Sequence, residues 1–375
     1  MSQIVKKLCK VIVFALTGVV ALLLGFLLSG IFASGFLNEG DIFFFVLAVS
    51  ITTYLSIILH EVGHLVFGLI SGYKFSSFRI GSLMWVRQGE KIRLCRMSIA
   101  GTGGQCLMIP PEPKDGKIPV KLYNLGGVIF NLIFCAIFAI LYAVTLRYIV
   151  IALVFLISTI ISFIFVITNG IPLEAGGIAN DGMNALHLSK DSMAALAFRN
   201  QLLMNAAQTE GVRLSDMPCE WFEIPDGADI KNVHIASIAV FAASRALDSG
   251  DLTLAEHSIC SVLNSGYNII GIHRSLLTCD LIYCRLLNGT SVDKLITPEL
   301  KKFMSAMGKF PGVIRTEYTI ALLVDNDISG AEKIVSKFEK QRKKFPYPQE
   351  IDAEKALMNK VLEKYNNLNK KQGRQ

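Results

Sequence analysis

Long apolar runs fill the first half of the chain, and short-period amphipathic patterns fill the second. A membrane helix needs about 20 mostly apolar residues. Four stretches meet that length, over 11–36, 42–70, 125–146 and 148–168, and Arg147 marks a tight turn between the last two. The segment between the second and third runs has strand character. Positions 83–87 and 91–97 flank Gln88-Gly89-Glu90, which reads as a β-hairpin. From Asp181 onward the pattern is that of amphipathic helices. Gly250, Gly289 and Asn326 each close one helix and precede another, at spacings of 39 and 37 residues. That spacing resembles tetratricopeptide-like helix pairs, which repeat at about 34 residues. The expected fold is mainly α: a polytopic membrane core of about four transmembrane helices, a small membrane-edge β-hairpin insert, and a C-terminal soluble α-helical, TPR-like domain. The expected organisation is a transmembrane anchor over 1–40, a membrane core over 41–182 with the β insert near 73–120, and a helical domain over 183–375.

Composition agrees with a membrane protein. Of 375 residues, 52% are hydrophobic and 18% charged, against about 25% charged in ordinary soluble domains. Lys6, Lys7 and Lys10 precede the first run, which is too long for a signal-peptide core of about 7–15 residues and reads as an uncleaved anchor. The link at Asn38-Glu39-Gly40-Asp41 is acidic. The segment from Tyr73 to Lys121 is strongly basic, with Lys74, Arg79, Arg87, Lys91, Arg93, Arg96, Lys114, Lys117 and Lys121. The positive-inside rule then puts the N-terminus, the β insert and everything after the fourth run on the cytoplasmic side of the cell membrane. The net charge of +7 is modest and says little about nucleic acid, but Lys and Arg sit mainly in loops and the tail, which suits a lipid bilayer surface better than a DNA groove. Eight cysteines, with no C-x-x-C pair, are expected to be reduced thiols.

The second run contains His60-Glu61-Val62-Gly63-His64. On a helix this H-E-x-x-H spacing puts two imidazoles on one face, with a carboxylate beside them to activate water. Ionisable groups at membrane depth are costly, so three together mark function. His60 lies ten residues before the end of its run, about 15 Å in at 1.5 Å per residue. Catalytic zinc takes three protein ligands, and a carboxylate after the fourth run is the better third candidate. Asp181 and Glu174 are the choices, Asp181 being favoured because Gly182 permits a tight backbone path. His187 is expected at the surface. Asn131, in the third run, falls at a depth close to that of His60, where an amide could hold a carbonyl or an oxyanion. Thr52, Thr53 and Ser56 are expected to bond back to their own helix.

HEVGH in an early span, Gly126-Gly127-x-x-x-Asn131 opening a later one, and Asn169-x-x-Pro172 followed by Asp181-Gly182 together resemble the site-2 protease family of zinc intramembrane metalloproteases. The resemblance covers roughly 42–182. It implies Zn2+ held by His60, His64 and Asp181, Glu61 as general base, and Asn131 with Asn169 at the substrate or oxyanion. The substrate would be a membrane-embedded peptide or single-span protein, cut near the cytoplasmic face. The family commonly has Leu-Asp-Gly, where this chain has Asn180-Asp181-Gly182 after a longer stretch containing Gly176-Gly177. The segment between the second and third spans is too short for the PDZ domain of many relatives. The rival expectation is a catalytically silent scaffold that binds membrane helices and recruits a cytosolic protein through its helical tail.

Overall fold

The computed structural model describes residues 3–33, 39–99, 102–175 and 178–372. In chain order the front half comprises α1 (Gln3–Ala33), α2 (Glu39–Ile70), β1 (Lys74–Ile80), β2 (Leu83–Gln88), β3 (Lys91–Arg96), β4 (Gly104–Ile109), α3 (Val120–Val144), α4 (Ile149–Gly170), β5 (Glu174–Ala175), β6 (Ile178–Ala179) and α5 (Asp181–Leu188). The rest is helical: α6 (Ser192–Thr209), α7 (Val233–Asp248), α8 (Leu252–Asn264), α9 (Gly271–Asn288), α10 (Pro298–Ala306), α11 (Pro311–Leu323), α12 (Ile328–Arg342) and α13 (Pro348–Gln372). Two compact units emerge, and they do not follow chain order. One is Met1–Phe75 with Gly103–Ser192; the other is Ser76–Thr102 with Met193–Gln375.

In the first unit, three described helices are long and apolar enough to cross a membrane: Phe43–Ile70, Val120–Val144 and Ile149–Gly170. The protein is therefore a membrane protein with helical spans. The expected first run lies on α1, but its end and part of its acidic link fall at 34–38, outside the described residues, as do Gly176 and Gly177. Large apolar side chains such as Phe43, Val46, Leu132, Ile140 and Ile151 face outward along these helices, as lipid contact requires. Helix α3 starts earlier than its apolar run because Pro119 stands just before its first turn, where a missing N–H is tolerated. Helix α4 stops at Gly170 because Ile171 precedes Pro172 and is driven extended. Helix α3 packs against both α2 and α4, and α5 packs against α3.

In the second unit, β1, β2 and β3 form an antiparallel meander with Phe78 opposite Trp85 and Trp85 opposite Leu94. The hairpin turn is Gly89-Glu90, with Gly89 at a positive φ of 60°. The alternation of a strand sends Met84, Val86 and Cys95 to one face. They enter a core shared with Ala243, Leu277, Tyr283, Ile314, Phe338 and Val361 of the helices. The hairpin thus belongs structurally with the helical half that follows it much later in the chain.

The three residues singled out by spacing are all helix-ending left-handed residues: Gly250 (φ 86°), Gly289 (φ 77°) and Asn326 (φ 52°). Asp251 and Asp327 follow at once, and each carboxylate accepts the backbone N–H three residues on, capping α8 and α12. Stacking runs α7 on α8, α8 on α9, α9 on α11, and α11 on both α12 and α13. Arg315, fully buried on α11, pairs with Asp280 of α9 and Glu354 of α13 and stacks over the Tyr283 ring at 4.7 Å.

Candidate metal centre

The centre lies wholly within the first unit. One helical turn separates His60 and His64 on α2, and their rings meet edge to face at 4.8 Å between centroids. Both are buried, as is Glu61 between them in sequence. Asp181 arrives from the first turn of α5. Its Oδ2 lies 2.9 Å from His60 Nε2 and 3.3 Å from His64 Nε2, and the two Nε2 atoms are 3.2 Å apart. Among the described residues, this is the group of three that could hold a metal ion. Glu174, the alternative carboxylate, instead sits in β5, paired through its backbone with Ala179.

Neighbouring residues position all three side chains, by hydrogen bonds or by leaving room. His64 Nδ1 donates to the Tyr123 carbonyl at 2.8 Å, since a carbonyl can only accept. That fixes the tautomer and leaves the Nε2 lone pair facing the centre. Tyr123 is itself held: its ring stacks on Tyr73 at 4.6 Å, and its hydroxyl donates to the Cys106 carbonyl of β4 at 2.7 Å. The His60 imidazole occupies the space where Gly127 would carry a side chain; a Cβ there would stand 2.5 Å from Cε1. Gly126 brings α3 into backbone contact with Gly63 of α2. Glu61 lies along β4, where a Cβ on Gly104 would come within 2.6 Å of its Cγ.

Asp181 is placed by Asn180. The Asn180 Oδ1 accepts from Leu173 N and Met183 N, at 2.9 and 3.0 Å. Its Nδ2 donates to the carbonyls of Thr168 and Ile171, both at 2.7 Å. One amide therefore ties the end of α4 to the start of α5 with its full hydrogen-bonding capacity. Gly182 completes the junction by packing directly on the Gly170 backbone.

These donors suit a zinc-type ion. Tetrahedral zinc with N and O ligands at about 2.0–2.1 Å implies ligand atoms about 3.3 Å apart, close to the three separations here. Asp181 Oδ2 is buried and faces the Nε2 atoms of both histidines, and the Nε2 lone pair of His64 converges on the same point. Lone pairs gathered in this way repel unless a proton or a cation lies among them.

The remaining expected residues divide. Asn131 is almost fully buried on α3, one turn beyond Gly127, and neither its Oδ1 nor its Nδ2 has a partner among the described residues. Asn169 is half-buried, and its Nδ2 is spent on the Phe165 carbonyl and the Thr168 hydroxyl. His187 is half-buried on α5 rather than exposed, because α5 packs on α3 instead of projecting into solvent. Thr53 bonds back to Val49 as expected, but Thr52 reaches across to Ser158 of α4 at 3.2 Å, and the Ser56 hydroxyl makes no bond among the described residues. Ser162, one turn beyond Ser158, is also buried and unbonded among the described residues. Since Thr52 meets Ser158 and His60 meets Gly127, a step of one turn along each helix brings Ser56, Ser162 and Asn131 to one level beside the centre. Sequence reasoning missed Tyr123 and Asn180, whose signal lies in three-dimensional partners alone, and Ser162, whose signal is its burial.

A buried His/His/carboxylate centre within a membrane-spanning helix bundle is the class of site this chain carries. No protein-family model, no curated protein and no solved structure matches the chain.

Proposed function

We propose that this protein is a zinc-dependent intramembrane endopeptidase of the site-2 protease type. The observation that carries the reading is the convergence of His60 Nε2 and His64 Nε2, on a membrane-spanning helix, with Asp181 Oδ2 of α5, Glu61 being buried beside them. Those three side chains would hold the zinc, which when bound supplies Lewis acidity toward a peptide carbonyl and a water molecule. Glu61 takes the proton from the attacking water and delivers it to the leaving amine. Tyr123 and Asn180 hold His64 and Asp181 in place. Asn131 keeps both amide groups available at the neighbouring level, and this supports a role in holding the substrate carbonyl or the developing oxyanion. The strand β4 beside Glu61 offers an extended backbone along which an unwound membrane segment can align. The substrate is a membrane-embedded peptide or a single-span protein, cut at the side of the bilayer where α2 ends, which the charge pattern assigns to the cytoplasm. The helical unit, with its stacked TPR-like pairs, serves as a docking surface for a cytosolic protein.

The test is co-expression with single-span substrates. Wild-type protein should cleave and carry stoichiometric zinc; Glu61→Gln should keep the zinc and lose cleavage. Full cleavage by Glu61→Gln would sink the mechanism. A stable, metal-free wild-type protein would favour the silent scaffold.

A further inference from the structure

The face of the β1–β3 meander opposite the helical core is a second feature the proposed chemistry does not use. Phe78, Trp85 and Leu94 form a cross-strand apolar row on it, with Ile92 at the edge and Arg87 and Arg96 as cationic neighbours. Ile92 and Leu94 are 63% and 57% exposed. Strand β3 is a sheet edge, and Arg96 N makes a bond from it to the Lys344 carbonyl. Between Lys74 and Arg96 there are six basic residues and one acidic one, Glu90; of the basic set only Arg79 is buried. Arg87 Nε is anchored on the Gly89 carbonyl, and Glu210 accepts from Gly89 N at the far tip of the hairpin.

We propose that this face docks on the headgroup layer of an anionic bilayer. Two arguments select lipid as the occupant. The first is charge and side-chain type: aromatic and aliphatic groups bordered by Arg and Lys match an interface with buried acyl carbons and anionic phosphates. The second is tether length. Only Ser71, Gly72 and Tyr73 separate the end of the α2 span from β1, and Tyr73 N already turns back to the Gly68 carbonyl. Such a link reaches at most about 14 Å even when extended, so the strand starts within or next to the headgroup region. The inference rests on α2 spanning the membrane but not on proteolysis.

The chain has two tryptophans, Trp85 and Trp221, so Trp221→Phe leaves Trp85 as a single reporter. The full-length variant is reconstituted into phosphatidylcholine vesicles with or without phosphatidylglycerol, using acyl-brominated lipid as quencher. Trp85 should be quenched at least about twofold more in the anionic vesicles. The excess should vanish in 1 M salt, where the Debye length is about 3 Å, and in an Arg87→Glu/Arg96→Glu variant. Quenching equal in both vesicles overturns the proposal. So does a Trp85 reached by iodide but not by brominated lipid, or shielded from both, which would mean a protein occupant. Glu61→Gln should leave the quenching unchanged, so loss of proteolysis and loss of docking are separate results.

Discussion

Gly127 of α3 and His60 of α2 share one small volume: the imidazole Cε1 stands 2.5 Å from where a Gly127 Cβ would be. The absence of a side chain on one helix is what leaves room for the imidazole on the other. Gly127→Ala must therefore rotate His60 off the centre or part the helices. We expect zinc affinity to fall by about 10–100-fold, the range seen when groups supporting metal ligands are altered. Zinc content against a competing chelator measures it.

The third ligand is decided by a paired comparison. Asp181→Ala should strip the zinc from purified protein, while Glu174→Gln should leave it in place, because Glu174 lies in β5 outside the convergent group. Retention of zinc by Asp181→Ala would reverse the assignment.

Asn180→Ala removes four hydrogen bonds of 2.7–3.0 Å at the α4–α5 junction. At about 1 kcal/mol net per bond the loss is on the order of 3–4 kcal/mol. Thermal unfolding should show it, together with weakened zinc binding. Asn180→Asp, which keeps the acceptor and loses the donors, should fall between the two.

Asn131→Leu replaces a buried, unpartnered amide by an apolar group of similar size. Stability should rise by about 1–3 kcal/mol as an unsatisfied group is removed, while cleavage falls. A variant as active as wild type would remove Asn131 from the substrate site. The same reasoning predicts that Ser56→Ala and Ser162→Ala are tolerated or mildly stabilising.

The helical unit should be sensitive to pH through Glu350. Burial pushes its carboxyl up from 4.5 to about 8, and the nearby Glu354, Asp248 and Asp280 push the same way against the opposing pull of Arg315. A folded-state value above the unfolded one means that the native state holds the proton more tightly. The associated stability is complete below about 4.5 and is lost as pH rises through about 8. The melting temperature should therefore drop across that window, and Glu350→Gln should flatten the drop. An unchanged slope in Glu350→Gln would assign the effect elsewhere.

Much of this was readable in one dimension. The apolar runs located three spans to within a few residues, since a helix in lipid must bury all its backbone polar groups internally and leaves an unbroken apolar signature. His60, Glu61 and His64 were readable as one facial group because the helical period alone brings them together. Gly250, Gly289 and Asn326 were readable as helix ends because a left-handed residue is needed there. The packing of α5 on α3, the Asn180 junction and the crossing of Gly63 with Gly126 were not, since each depends on partners far apart in sequence.

By itself, then, the sequence determined local order: which segments are helical, which are apolar enough for a membrane, and which histidines share a face. Tertiary structure alone decided that Asp181 rather than Glu174 meets those histidines, that Tyr123 fixes one and Gly127 makes room for the other, and that the hairpin packs into the helical unit. The physical reason is range. Helical period and burial of apolar surface act over a few residues and leave their mark on every stretch of chain. A ligand brought from another element is set by packing across helices, where a missing Cβ or a single amide determines whether two side chains can meet.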